Sequence, residues 1–147
     1  LVILLNKWDL LTEDHEREKV METVSRRMTL APWAKVLRIS ALTGRSVEKI
    51  WNYIDDAAAA RATKISTSAL TDLREFGHTL VDGKRRLRMH YVTQTDVNPP
   101  TFTYFVNHPD LVSDSYRRYV ENRMRTKFGF EGTPIRLHFR AKSNKEA

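Results

Sequence analysis

Five apolar residues, Leu1-Val2-Ile3-Leu4-Leu5, run without interruption into the polar tetrad Asn6-Lys7-Trp8-Asp9. A continuous apolar run, unlike an alternating one, predicts a strand buried on both faces, as in a parallel sheet; such sheets bind ligands at the carboxyl ends of their strands. The tetrad stands at that end. Asp9, ionised at neutral pH, offers two acceptor oxygens side by side, which match the adjacent N1-H and N2-H2 donors of guanine. Adenine has no such donor pair. Asn6 can both donate and accept, so it suits the N7 or O6 edge and the neighbouring loop, while the methylenes of Lys7 can cover a base face.

A second stretch of the same kind follows. Val36-Leu37-Arg38-Ile39 leads into Ser40-Ala41-Leu42, a small-residue turn whose backbone N-H can reach guanine O6. Together the two stretches resemble the fourth and fifth guanine-recognition motifs of P-loop GTPases. The plain alternative is a strand ending in an Asx turn and an unrelated Ser-Ala loop.

Between and after these stretches the chain reads as helix. Thr12 is placed to cap a helix with Glu13 and Asp14 in its first turn and Arg26 and Arg27 near its end, the polarity a helix dipole favours. Val20, Met21, Val24 and Met28 lie on one face, and Ala31-Pro32 stops the helix. Gly44 and the potential cap Ser46 open another, with Val47, Ile50, Trp51, Ile54 and Ala58 at core spacing. Trp51 and the methionines read as core residues. Strand, helix, strand, helix predicts a parallel sheet with right-handed crossovers.

Arg61 to Ser68 breaks this pattern and marks a boundary. Beyond it, Ala69, Leu73, Phe76 and Leu80 mark a helix. Leu87, Met89 and Tyr91 alternate with Arg88 and His90, and Phe102, Tyr104 and Val106 with Thr103, Phe105 and Asn107, which predicts two strands around the turn-rich Asp96 to Pro100. Ser113 or Asp114 caps a helix burying Tyr116, Val120, Met124 and Phe128 and ending at Gly129. Pro134 introduces a last strand with Ile135, Leu137 and Phe139 inward and Arg136, His138 and Arg140 outward. The second half reads α-β-β-α-β.

Composition narrows the class. With 147 residues, 41% hydrophobic and 29% charged, the chain has room for one ordinary domain or two small ones, and no apolar run approaches a membrane span. Zero cysteines exclude a disulfide scaffold or thiolate metal site, the five histidines show no ligand spacing, and both fit a cytoplasmic protein. The chain begins mid-strand without Met and reads as an internal piece. Its net charge of +7 is uneven: residues 1–64 hold 11 Lys+Arg against 9 Asp+Glu, residues 65–147 hold 14 against 9. The second half is the basic one.

The tetrad Asn-Lys-Trp-Asp, the Ser-Ala-Leu loop and a basic α-β-β-α-β half carrying Phe105-Val106-Asn107-His108-Pro109, Ser115-Tyr116-Arg117-Arg118-Tyr119 and Gly129-Phe130-Glu131-Gly132-Thr133-Pro134-Ile135-Arg136 resemble the carboxyl-terminal part of the Der (EngA) family of bacterial tandem GTPases. The resemblance covers the whole chain. It implies an α/β fold in which residues 1–64 are the end of a second G domain with a partial P-loop GTPase sheet (β-α-β-α), residues 65–142 an α+β KH-like domain, and residues 143–147 a tail. It implies that Asn6, Lys7, Trp8 and Asp9, with Ser40, Ala41 and Leu42, form a guanine pocket for GTP or GDP with Mg2+. It also implies a cytoplasmic GTPase acting in ribosome assembly on the large ribosomal subunit and its RNA, with the upstream G domains of the same chain as further partners and neither membrane nor DNA among them.

The chemistry is incomplete in these residues. The sequence contains no G-x-x-x-x-G-K-[ST] to hold phosphates and magnesium and no D-x-x-G to address the γ-phosphate. No catalytic or metal-ligating residue is therefore assigned, hydrolysis is not expected of this piece alone, and its guanine affinity is expected to be poor. Gly129-Phe130-Glu131-Gly132 has the spacing of the backbone clamp of KH domains, but it joins a helix to a strand and carries an acid. Gly129 reads as a helix C-terminal glycine. The candidates for RNA contact are Lys84, Arg85, Arg86 and Arg88, and the helix positions Arg118 and Arg125. Two readings stand: a GTPase fragment whose KH-like part contacts ribosomal RNA or docks on the G domains, and a stand-alone RNA-binding module that binds no nucleotide.

Overall fold

In a computed structural model of the protein, residues 1–71, 81–82 and 85–142 are described. They form two compact units, the first made of Leu1–Ala60 and Phe130–Pro134, the second of Arg61–Gly129 and Ile135–Ala147. Both contain helices and strands, as expected of an α/β half followed by an α+β half.

In the first unit β1 (Val2–Leu5) lies parallel to β2 (Lys35–Arg38), with Leu4 opposite Leu37. Parallel neighbours need a crossover, and α1 (Asp14–Arg27) supplies it. The cap differs from expectation. Glu13, not Thr12, is the extended residue before the helix, and its N–H donates to the Glu16 carboxylate at 3.4 Å, so the acid three residues on serves the helix start. Val24, Met21 and Met28 are half-buried beside Ala34 and Val36, lining a shallow apolar groove.

The second helix, α2 (Lys49–Arg61), begins on the expected stripe, with Val47 just before it and Ile50 half-buried, but turns its later positions differently. Trp51 is 70% and Ile54 43% exposed, and Ala58 is exposed too; the half-buried positions are Ile50, Tyr53, Ala57 and Ala60. Apolar residues lie on two adjoining stripes of this helix, and specific contacts select one. Lys35 Nζ sits 5.2 Å over the Tyr53 ring and bonds Asp56 at 2.8 Å, and Gly132 closes against Ala57. Trp51 is therefore a surface residue. Ser46, read as a cap, has φ +58, and the helix begins three residues later. The core of this unit is Trp8, Leu37, Ile39 and Phe130.

The second unit opens on a connection tied to its sheet: Ile65 N–H donates to Gln94 Oε1 at 2.7 Å, and Gln94 Nε2 donates to the Thr63 carbonyl at 3.0 Å. The short helix α3 (Thr67–Thr71) follows, with Leu70 buried; the expected helix positions Leu73, Phe76 and Leu80 lie outside the described residues. A two-residue ladder joins β3 (Val81–Asp82) to β4 (Arg85–Arg86). Then β5 (Met89–Val97), β6 (Pro100–Val106) and β7 (Arg136–Ala141) form a sheet in that order, β5 antiparallel and β7 parallel to β6. The parallel pair is bridged by α4 (Asp114–Phe128), capped by Ser113, whose Oγ accepts from Tyr116 N–H at 3.2 Å, and ended by Gly129 at φ +85. Phe102, Tyr104 and Val106 are buried as expected, as are Tyr116, Val120 and Met124 of α4.

One strand departs from the alternation. A bulge between Met89 and Tyr91 makes His90 an extra residue, so Tyr91, expected inward with Leu87 and Met89, is 40% exposed while Val92 is buried. One inserted residue moves the side chains after it to the opposite face, here until a second irregularity between Gln94 and Asp96 shifts the register again.

Candidate functional site

At the carboxyl end of β1 the tetrad and the Ser40 turn hold one another. Asn6 Oδ1 accepts from the N–H of its neighbour Lys7 at 2.8 Å and from the N–H of Ala41 at 3.0 Å. Trp8 N–H donates to the Ile39 carbonyl at 3.0 Å, and Ser40 N–H to that of Arg45 at 3.1 Å. Ser40 is fully buried, and its Oγ accepts from Thr43 N–H at 3.2 Å, closing the turn on itself. Lys7 sits in the left-handed region at φ +62, a conformation a non-glycine residue holds only when its surroundings over-determine it; the Asn6 bond to its N–H does that here.

These bonds shape a cleft of about 320 Å³ lined by Asn6, Lys7, Asp9, Leu10 and Leu42. Asp9 is half-buried there, and among the described residues its carboxylate takes no hydrogen bond, so both oxygens remain available to a pair of donors. Lys7 and Leu42 are exposed, Leu42 at 87%, and both line the cleft, where they can supply methylene and apolar cover for a planar ring. Leu10 was not among the sequence candidates. It belongs to the 3-10 turn Trp8–Leu10, a local structure with no clear composition cue.

Three of the sequence candidates, Trp8, Ser40 and Ala41, do not line the cleft and have other duties, Ser40 in closing its own turn. Trp8 is 5% exposed and forms part of the core, with Arg38 5.5 Å over its ring, so it anchors the loop from beneath. The Ala41 N–H, one of the turn amides expected to reach guanine O6, is given to Asn6, and the pairing ties the two loops together. Among the described residues no group of three His or acidic side chains is gathered for a metal.

The basic candidates of the second unit are not one patch. Arg85 Nη1 pairs with Asp110 at 2.7 Å, and the Arg85 hydrogen bond holds the Asp110 carboxyl below the usual range. Arg86 and Arg88 are exposed, their backbones fastened by Asn107, whose Nδ2 donates to the Arg86 carbonyl and whose Oδ1 accepts from Arg88 N–H, both at 2.7 Å. Lys84 lies outside the described residues. On α4, Arg118 is exposed, whereas Arg125 is folded onto Glu121 with Nη2 at 2.7 Å and its side chain 15% exposed. Burial lowers the Arg125 pKa against the opposing effect of Glu121, and of the two arginines only Arg118 is exposed.

Residues 63–140 match the family described as the KH-domain-like of EngA bacterial GTPase enzymes, C-terminal. The chain is 40% identical over 150 residues to a protein named GTPase Der in Natranaerobius thermophilus and 40% over 146 residues to that of Acetivibrio thermocellus. It is 41% identical over 147 residues to that of Desulfitobacterium hafniense. These alignments take in 99%, 96% and 97% of the chain but only 34%, 33% and 33% of the relatives. The chain spans about a third of the length of the proteins it resembles.

Proposed function

Because the chain belongs to the EngA (Der) GTPase family, we propose that it is the carboxyl-terminal part of a GTP-binding, GTP-hydrolysing ribosome-assembly factor acting on the large ribosomal subunit, in the cytoplasm. In this reading residues 1–64 supply guanine recognition and residues 65–142 a KH-like module that contacts ribosomal RNA. Phosphates and Mg2+ are held by residues of the complete protein outside this chain, since the sequence lacks a phosphate loop.

The observation that carries the guanine assignment is the Asn6 bridge to Ala41 beside an unengaged Asp9 carboxylate. Asn6 binds two loops into one rim, and Asp9 presents two acceptors over a cleft whose other residues are apolar or aliphatic along their length. A stand-alone RNA module would have no use for a carboxylate held in this way, since it repels phosphate.

The test is Asp9→Asn in the complete protein. Asn presents one donor and one acceptor where guanine needs two acceptors, whereas xanthine replaces the exocyclic amine by an oxygen. GTP affinity is expected to fall by about 10- to 100-fold, the range of a lost charged hydrogen bond, and xanthosine triphosphate to bind better than GTP. Unchanged GTP affinity in a nucleotide titration would remove the guanine assignment.

A further inference from the structure

The bulge at His90 builds a surface the sequence alternation conceals. Register partners across a sheet share a face, so Tyr91 stands beside Phe105, and Phe105 beside Arg140. The first two rings are stacked, centroids 4.3 Å apart and planes 17° from parallel. The backbone of Arg88 pairs with Asn107, two residues along from Phe105, which brings Arg88 to the same face; without the extra residue Arg88 and Tyr91 would point to opposite sides. Arg136, His138 and Arg140 are all exposed along β7, and the register puts them on this face as well. The one carboxylate that the register brings to its far end, Asp96, is turned to its own loop, where Oδ1 accepts from the amides of Val97 and Asn98.

β5 is the outer strand of its sheet, and among the described residues Phe105 is the only ring that stacks on Tyr91. Among the described residues the stack therefore ends at the sheet edge in a ring with 40% of its residue exposed, with Arg88 alongside the row and Arg140 at its far end. Stacked aromatics bordered by arginine suit a chain of π-faces joined by phosphates, and a base can extend the stack only if it is unpaired. An acidic peptide would use the cations but leave the aromatic end unused.

We propose that this sheet face binds single-stranded RNA, an unpaired base stacking on Tyr91 as the next plate after Phe105 while the adjoining phosphates reach Arg88 and Arg140. The assignment rests on the reading of the second unit as an RNA-contacting module and adds where the bases go. Selectivity among bases follows stacking strength, so purines bind ahead of pyrimidines.

The test compares a ten-residue oligoadenylate with an abasic ribose-phosphate strand of equal length, binding the unaltered 147-residue chain by fluorescence anisotropy over a salt series. The abasic strand is expected to bind about tenfold more weakly at every salt concentration, the lower end of what one stacked base contributes. Tyr91→Leu should abolish the difference between the strands and leave the salt slope unchanged. Arg140→Gln should reduce the slope by about one and keep the difference. Equal binding of both strands by the unaltered chain overturns the stacking site and leaves a purely electrostatic RNA contact intact. Failure of both strands to bind overturns the site together with the RNA-contacting reading beneath it.

Discussion

Asn6 illustrates how much one side chain settles. Its Oδ1 takes two backbone donors from loops 35 residues apart, so it does for the site what a disulfide would do elsewhere, within reach of Asp9 and at the cost of one amide. The segment Phe130–Pro134 shows the same economy with backbone alone. Gly132 donates to the Trp33 carbonyl at 2.8 Å, holds φ +74, and leaves no room for a side chain, since a Cβ would lie 2.8 Å from that of Ala57. Gly129 has φ +85 but nothing within 4 Å of the corresponding position. The two glycines thus separate backbone strain from steric conflict. Gly129, with ψ −111, lies outside even the left-handed helical well, and Gly129→Ala is expected to cost about 1–3 kcal/mol from strain alone. Gly132→Ala adds overpacking and should cost roughly 2–4 kcal/mol. Urea titrations of the two variants check the order, and equal losses would mean that α2 yields freely at Ala57.

At the scale of elements, the sequence made the type and order of most pieces legible and left their rotation open. The unbroken apolar run of β1 and the Ser113 cap of α4 each had a local cause visible in the chain, and each forms the element expected; β6 forms as well, but Thr101 and Thr103 are buried along with Phe102, Tyr104 and Val106, so its burial does not alternate. The stripe α2 buries and the face Tyr91 joins depend on partners distant in sequence, Gly132 and Lys35 in one case and the pairing of β5 with β6 in the other. The site was legible in the same degree: the acceptor pair of Asp9 follows from chemistry, but the inward turn of Trp8 and the use of Ala41 N–H by Asn6 are tertiary facts. One buried element carries a prediction of its own. Tyr104 of β6 is 1% exposed, and among the described residues its hydroxyl has no hydrogen-bond partner, while burial, with a smaller contribution from Tyr116, raises its pKa far above the ordinary tyrosine value. Above pH about 10 the unfolded chain releases this proton and the folded one keeps it, so stability falls as pH rises. Tyr104→Phe should remove that alkaline slope, apart from the part due to Tyr116, and gain about 1 kcal/mol at neutral pH by removing an unsatisfied polar atom. Thermal denaturation at pH 7 and 10.5 measures both, and a loss of stability at pH 7 would show the hydroxyl to be satisfied.

Over the whole molecule, burial is divided unequally. The second unit gathers Leu70, Leu87, Val92, Phe102, Tyr104, Val106, Val112, Tyr116, Val120, Met124 and Ile135 into continuous cores on a three-stranded sheet. The first has Trp8, Leu37, Ile39 and Phe130, while α1 and α2 contain no fully buried residue and Leu1, Leu4 and Trp51 are 55%, 41% and 70% exposed. Its sheet has two strands among the described residues, and a strand read as buried on both faces, such as β1, is here only half covered. Local opening free energy follows buried apolar contact, since the backbone hydrogen bonds of an exposed helix open with little loss. Hydrogen exchange of the 147-residue chain is therefore expected to show weak protection over residues 1–60 and strong protection over β5, β6, α4 and β7. Within the first unit, the amides of Trp8, Ile39 and Ser40 should be the slowest, because they tie the tetrad to the neighbouring turn. Equal protection in both units of a monomer would mean that the small core around Trp8 suffices, and that the exposed apolar faces of α2 and β1 cost the fold nothing.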